Sequence, residues 1–224
     1  MLKPTRRLTR KKMKEDKLVT TYFKAVDYID QNSKLVYGIA IGVAAIILLS
    51  TLFIRSKRSA ELNASVELTK ARVELGSNNG ETAVDILKSM IDNYSGTRSA
   101  GRGIFYLANI YYDQEKYDEA THYYEKYLDD YNDDIIMSSS SYSGIGACFE
   151  QKNEYLKAAT YYKKGAEKYS THFEAPKQLM NAARCLRLAN NKIEAQKLYQ
   201  SIIDNYPESK YKRNAELYLS ELQG

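Results

Sequence analysis

The stretch that decides the fold is residues 104–131, IFYLANIYYDQEKYDEATHYYEKYLDDY. It contains two runs of apolar and aromatic residues at helical spacing, separated by the polar turn DQEK. Ala108 in the first run and Ala120 in the second are small enough to let two helices approach closely. Tyr124, one turn after Ala120, is large enough to fill the seam between them. The stretch therefore predicts a pair of antiparallel helices.

The same pattern recurs along most of the chain. Alanines stand at Ala83, Ala120, Ala158 and Ala195, with spacings of 37, 38 and 37 residues. A large residue stands four positions after each alanine, and a tyrosine stands eleven positions after it. We expect this tyrosine to pack on the following unit. The large residues are Leu87, Tyr124, Tyr162 and Tyr199, and the tyrosines are Tyr94, Tyr131, Tyr169 and Tyr206. A period of this length predicts helix pairs that stack into a solenoid, because no pair buries its apolar face alone.

These units resemble the tetratricopeptide repeat family. The resemblance runs over residues 59–224 and is strongest in 104–131 and 142–169, whereas the first unit is degenerate. Residues 211–222 resemble one more opening helix, which caps the stack, and Ser138–Ser141 is expected to be a loop that leads into a helix. The resemblance implies an all-α solenoid that binds proteins in a groove lined by its opening helices.

The family's spacing also implies which side chains face that groove. Phe105 and Tyr112 are expected to anchor apolar side chains of a peptide, and Arg184 with Arg187 to bind an acidic residue or a terminal carboxylate. The implied partner-binding residues are Phe105, Asn109, Tyr112, Asp113, Glu150, Arg184 and Arg187.

Residues 35–54, LVYGIAIGVAAIILLSTLFI, form a run without one charged residue. As a helix this run is about 30 Å long, the thickness of a bilayer's hydrocarbon core. A cleaved signal peptide is the main alternative, but its apolar region is shorter and ends at small residues, whereas RSKR follows here. We therefore expect residues 35–54 to be an uncleaved transmembrane helix that follows a basic cytoplasmic segment, 1–34. Gly38, Gly42 and Ala45 share one face, on which another membrane helix could pack.

Charge is concentrated before this run. The chain has a formal net charge of +5, and residues 1–34 alone hold ten Lys or Arg against four Asp or Glu. Within that segment, apolar residues from Leu18 to Ile29 recur at helical spacing, which predicts an amphipathic helix with a start at Thr9 and a break at Asn32-Ser33. Anionic lipid explains the basic residues better than nucleic acid does, because interleaved aromatic residues are missing. The positive-inside tendency predicts a cytoplasmic N-terminus and a repeat domain on the periplasmic or other extracytoplasmic side of a bacterial inner membrane.

The sequence offers little for catalysis. His122 and His172 lack acidic or cysteine partners at metal-ligand spacing, and Cys148 and Cys185 are expected to be buried free thiols too far apart for a disulfide. No phosphate-binding loop or nucleophile motif occurs in the sequence. We expect a protein that is not an enzyme and holds no metal or cofactor.

Two functions fit this plan. The first is a membrane-anchored adaptor for protein partners, and its layout is similar to that of the ancillary inner-membrane subunit of the Sec translocon. The second is a structural component of an envelope assembly that forms homo-oligomers through the face of Gly38 and Gly42.

Overall fold

The structure, a computed structural model, describes residues 17–77 and 79–223. Within those ranges the chain is helical and has no strand, so the all-α prediction is confirmed. The helices are α1 Lys17–Gln31, α2 Ser33–Gly76, α3 Gly80–Asn93, α4 Arg98–Asp113, α5 Tyr117–Asp130, α6 Ile135–Gln151, α7 Tyr155–Lys168, α8 Ala175–Leu188, α9 Lys192–Asn205 and α10 Lys212–Gln223. The chain divides into two compact units between Ser56 and Lys57.

The first unit contains α1 and the apolar run of α2. The break between them falls at Asn32, as predicted, where the Asn32 side chain donates a hydrogen bond to the carbonyl of Tyr28 at 3.0 Å. The predicted start at Thr9 lies outside the described residues, as do the other residues before Lys17. Large side chains of the run, such as Ile41 and Leu49, are exposed. By length and composition α2 can cross a membrane, either as an anchor or as a signal sequence.

The second unit is a solenoid built on the predicted repeat. The four alanines that mark the period, Ala83, Ala120, Ala158 and Ala195, are fully buried. They lie on α3, α5, α7 and α9, the closing helices, and α4, α6 and α8 are the opening helices between them. Residues Ala64, Leu68 and Ala71 on the last turns of α2 belong to the same core as Leu87 and Met90 of α3. Neighbouring helices of the solenoid are thus stabilised by apolar contact with one another.

Close approach of the helices depends on small residues at the crossing points. A Cβ atom added to Gly146 on α6 would lie 2.9 Å from the ring of Tyr162 on α7, and one added to Gly144 would lie 2.4 Å from the ring of Tyr124 on α5. The tyrosine rings therefore fill the space that a larger side chain would need.

The tyrosine eleven residues after each alanine forms the C-cap of its closing helix, and the hydroxyls of two of these tyrosines form hydrogen bonds in an unexpected direction. The hydroxyl of Tyr131 accepts a hydrogen bond from the backbone of Gly96 at 2.9 Å, and that of Tyr206 donates one to the carbonyl of Ser170 at 3.0 Å. Both partners lie in the connection before the tyrosine's own unit, not in the following unit. The closing helix ends beside that earlier connection, which explains the reversal.

The serine run is the clearest difference from the sequence-based expectation. Ser138, Ser139 and Ser141 are buried inside α6, which begins at Ile135 after its N-cap Asp134, so a loop at this position is wrong. The small side chains let α8 come close, since Gln178 donates hydrogen bonds to the carbonyl of Ser139 at 2.8 Å and to its hydroxyl at 3.0 Å. Small size, not turn propensity, explains these serines.

Two rows of loops border the solenoid. The turn edge consists of the short turns within helix pairs, where Glu115, Asn153 and Asn190 adopt positive φ angles of 61°, 60° and 59°. The connection edge consists of the segments between pairs, including 131–134 and 169–174. The two edges are about 25 Å apart along α6, given the helical rise. From α3 to α10 each helix contacts the next one along the chain, and α4 also contacts α6.

Candidate partner-binding groove

The groove-facing residues predicted on α4 are held by aromatic contacts. Phe105 is half-buried, and its ring meets those of Tyr124 and Tyr127 edge to face, with centroids 5.9 Å apart in both cases. Its ring therefore helps to join α4 to α5. Less of its surface is accessible to a ligand than in a fully exposed phenylalanine.

Asn109 and Tyr112 continue along the same helix. The Oδ1 atom of Asn109 accepts a hydrogen bond of 2.5 Å from the hydroxyl of Tyr124, which fixes the amide. Tyr112 is half-buried, packs edge to face on Tyr117 at 5.6 Å, and its hydroxyl lies 3.5 Å from the side-chain nitrogen of Gln151. Asp113 is exposed at the end of α4. This part of the groove combines an aromatic wall with polar groups at its far end.

Glu150 and Arg184 form the strongest ionic contact of the groove. Both carboxylate oxygens of Glu150 are engaged by the guanidinium, at 2.5 and 2.8 Å, and Tyr162 donates a further hydrogen bond at 3.2 Å. Hydrogen bonding to Arg184 lowers the pKa of Glu150, and the same bonds raise the pKa of Arg184. The pair links α6 to α8, and about two-fifths of the arginine side chain stays accessible (43%). The cation predicted to bind a partner's carboxylate is thus already paired within the chain.

Arg187 is paired in a similar way with the last helix. Its guanidinium lies 3.5 Å from a carboxylate oxygen of Glu221 and 4.8 Å from the centroid of the Tyr218 ring. Tyr218 is half-buried, and a cation–π contact is worth about 0.5–1 kcal/mol at exposed sites and more where the groups are desolvated. The two arginines therefore join neighbouring helices as well as supplying positive charge to the predicted groove.

The ion pairs that sequence reasoning missed share one spacing. Glu150 with Arg184, Arg187 with Glu221, and Asp118 with Lys152 are each 34 residues apart. That spacing is the repeat period less about one helical turn, and each pair joins one repeat to the next. Opposite charges 34 residues apart were therefore a sequence signal for ion pairs between repeats.

The membrane-helix residues predicted to pack on a partner lie on an open surface. Within the described residues, no atom comes within 4 Å of a Cβ added to Gly38 or Gly42, and Ala45 is exposed. The face is therefore not occupied by the chain itself within that range.

Cys148 and Cys185 are buried free thiols. Burial raises the pKa of Cys148 to about 11 and that of Cys185 to about 12, so the reactive thiolate is scarce at neutral pH. Among residues 17–77 and 79–223, no group of three or more His, Cys, Asp or Glu side chains is placed to hold a metal ion.

The geometry agrees with known proteins of one class. Residues 103–133 and 179–209 match the sequence family of the tetratricopeptide repeat, so the chain contains tetratricopeptide repeats at these positions. Proteins with this fold bind protein partners and are generally scaffolds without enzymatic activity. No curated protein sequence matches the chain.

Solved structures share the fold at low identity. A tetratricopeptide repeat protein from Parabacteroides merdae ATCC 43184 is 17% identical with a TM-score of 0.58, over 72% of this chain and 60% of that one. The chain thus spans less than two thirds of that protein's length. MamA of RS-1, as a double mutant, is 11% identical with a TM-score of 0.53, over 71% of this chain and 94% of its own. MamA of AMB-1 is 17% identical with a TM-score of 0.51, over 73% and 84%.

Proposed function

We propose that this protein is a membrane-anchored scaffold that binds protein partners on the extracytoplasmic face of a bacterial inner membrane. The observation that carries the proposal is α2, a single helix that contains an uncharged, uncovered apolar run and then supplies buried residues to the solenoid core. Exposing that run to water is unfavourable, because apolar surface costs about 25 cal/mol per Å². A bilayer removes this cost, and residues 35–54 then act as the anchor, with 1–34 on the cytoplasmic side and 59–224 outside.

The groove gives the scaffold its binding chemistry. An extended peptide can place an apolar side chain against the rings of Phe105 and Tyr112, while an acidic group approaches the accessible parts of Arg184 and Arg187. The carboxylates of Glu150 and Glu221 compete for those guanidinium groups, so we expect aromatic contact to contribute more than charge to affinity. In this proposal the client or chaperone is held near the protein-export machinery, in the manner of an ancillary translocon subunit.

Anchoring is tested by topology. Reporters active only in the periplasm or only in the cytoplasm are fused after Gly224, and the intact mass shows whether the apolar run is retained. We expect an uncleaved chain, an active periplasmic reporter and resistance to alkaline extraction. An Ile46→Arg, Leu49→Arg variant should lose the membrane, whereas Leu156→Arg, a charge at an exposed apolar site of the solenoid, should keep it. A cleaved chain or an active cytoplasmic reporter would contradict the proposal.

Partner binding is tested by photo-crosslinking in intact cells. A photoreactive phenylalanine at Tyr112 should capture a translocon subunit or periplasmic chaperone, and one at Thr160, exposed on closing helix α7, should not. Equal capture from both positions would show that the groove is not the binding surface.

A structural, self-associating role is the alternative, favoured by the open face of Gly38 and Gly42. Gly42→Ile should abolish self-association in detergent if that face joins two copies. Ala40→Ile is the matched control, since Ala40 lies about 200° around the helix from Gly38. Oligomers that survive Gly42→Ile would exclude this route.

A further inference from the structure

A cleft of about 520 Å³ lies at the start of the second unit, where the first turns after Ser56 meet the N-terminus of α4. Four of its side chains are basic. Its lining residues are Lys57, Arg58, Glu61, Gly96, Thr97, Arg98 and Arg102. A concentration of cations in one cleft favours an anionic ligand.

The acidic groups near the cleft are already engaged. The carboxylate of Glu61 accepts hydrogen bonds from the backbone of Arg98 at 2.8 Å and from the backbone and hydroxyl of Ser99 at 3.2 and 2.7 Å. It therefore caps α4, and the positive end of that helix offsets its charge. Asp134 caps α6 in the same way, by accepting from the backbone of Ile136 and the next residue. These two carboxylates stabilise helix ends and leave the arginine side chains largely uncompensated.

One remaining acid forms a weak pair. Asp133 lies 3.7 Å from Nε of Arg98, and the two side chains are 60% and 83% exposed. An exposed pair at that distance contributes little, and an external anion can replace it. The cation of Arg98 thus stays available at the surface.

Exposed apolar side chains adjoin these cations. Arg98 and Arg102 also line a second cleft, with Asp133, Asp134 and Met137 at the start of α6. Ile135 and Ile136, in the same turn, are 57% and 59% exposed. Basic side chains beside exposed large apolar ones are the composition of surfaces that bind at the boundary of headgroups and acyl chains.

The sequence links this surface closely to the apolar run. Lys57 and Arg58 of the cleft are the third and fourth residues after Ile54, the end of that run. A bilayer that holds the run is therefore joined to the cleft by only a short stretch of chain.

We propose that Arg58, Arg98, Arg102, Ile135 and Ile136 form a membrane-contact surface that docks the connection edge of the solenoid onto anionic phospholipid headgroups. The inference rests on the proposed anchoring, since it is the anchor that supplies the bilayer. The arginines bind lipid phosphates, and the isoleucines enter the boundary with the acyl chains.

The test uses the full chain in proteoliposomes of phosphatidylcholine, with or without phosphatidylglycerol. A fluorophore is attached at Ile136→Cys or at Leu156→Cys, and quenching by lipids that carry a spin label near the headgroup is measured. Leu156 is the matched control, because its exposure (57%) is close to that of Ile136 (59%) but it lies at the turn edge. The native cysteines are buried and should stay unlabelled. We expect strong quenching only at position 136 and only with phosphatidylglycerol, and we expect high salt to weaken it.

Charge removal gives the second arm. Arg98→Gln with Arg102→Gln should lower the ratio of docked to undocked solenoid by about five-fold per charge, or about 25-fold together. Lys163→Gln with Lys164→Gln, exposed lysines on α7, should leave it unchanged. Equal quenching at 136 and 156 in a chain that resists alkaline extraction would overturn the contact surface alone. Extraction of the chain would overturn the anchoring and this inference together.

Discussion

Replacing Tyr199 by phenylalanine should stabilise the protein, although the same change at Tyr124 should destabilise it. The two tyrosines occupy the same position in different repeats, four residues after the buried alanine. The hydroxyl of Tyr124 donates to Asn109, whereas that of Tyr199 is buried and has no hydrogen-bond partner among the described residues. Burial without a partner also raises the pKa of Tyr199, because the phenolate is desolvated. The same Tyr→Phe substitution is therefore expected to raise the stability at Tyr199 and to lower it at Tyr124.

The magnitudes follow from the cost of an unpaired hydroxyl. Mutational data place that cost at about 1–3 kcal/mol, and phenylalanine fills nearly the same volume, so Tyr199→Phe should gain about 1 kcal/mol. Tyr124→Phe loses a hydrogen bond and leaves the Asn109 oxygen unpaired, which should cost about 1–2 kcal/mol. For a domain of this size, 1 kcal/mol corresponds to about 2–4 °C in Tm.

The assay is unfolding of the full chain in detergent, followed by far-ultraviolet circular dichroism against temperature and urea. Stability in a solenoid is partly local, so amide hydrogen exchange of α8–α10 should report the gain at Tyr199 most directly. Equal losses of stability in Tyr199→Phe and Tyr124→Phe would refute the reasoning, since they would show that the Tyr199 hydroxyl has a partner.

Three further predictions concern packing, reactivity and pH. Gly165→Ala should lose about 1–3 kcal/mol in urea unfolding, because its Cβ would lie 2.7 Å from the Tyr142 side chain. Cys148 and Cys185 should react slowly with a maleimide at pH 8 in the folded chain, since burial raises their pKa to about 11 and 12. The lowered pKa of Glu150 means that its stabilisation is complete above the ordinary value of 4.5 and is lost as pH falls through the folded pKa. Glu150→Gln should flatten that acid limb in unfolding measured at a series of pH values.

Each of these has a control. Gly76→Ala adds a methyl where no described atom lies within 4 Å, so it should leave stability nearly unchanged, and an equal loss would point to backbone effects. Urea should make both thiols react quickly, and fast reaction without urea would contradict their burial. If stability fell as steeply with acid in Glu150→Gln as in the parent chain, the loss of stability at low pH would be due to other carboxylates.

The repeat architecture could be predicted from the sequence because its signal is local and repeated. Buried alanines such as Ala120 and Ala158 recur at fixed spacing, and helical periodicity follows directly from the residues around them. The serine run at Ser138–Ser141 could not be predicted this way, because serine by itself favours turns, whereas here the run lies inside α6 and Ser139 packs against Gln178 of α8. The direction in which the hydroxyls of Tyr131 and Tyr206 form hydrogen bonds could not be predicted for a similar reason, since it depends on how the helix pairs stack.

The groove was less accessible to sequence reasoning than the fold. Family spacing implied which positions face it, but not that Arg184 and Arg187 are paired with Glu150 and Glu221. Those pairs depend on the stagger of neighbouring helices, which is set by packing across units. Family spacing therefore does not predict which charges are free to bind a ligand.

The short sequence separation of these contacts also bears on folding during synthesis. Gln178 bonds to Ser139 and Arg184 to Glu150, so helices of neighbouring units are joined across only 39 and 34 residues of chain. A ribosome adds that length in about 2–8 s, whereas helices form in about a microsecond. Each pair can therefore settle on its predecessor while the next is still being synthesised. A nascent chain then exposes roughly one repeat of apolar surface at a time, which limits its opportunity to aggregate.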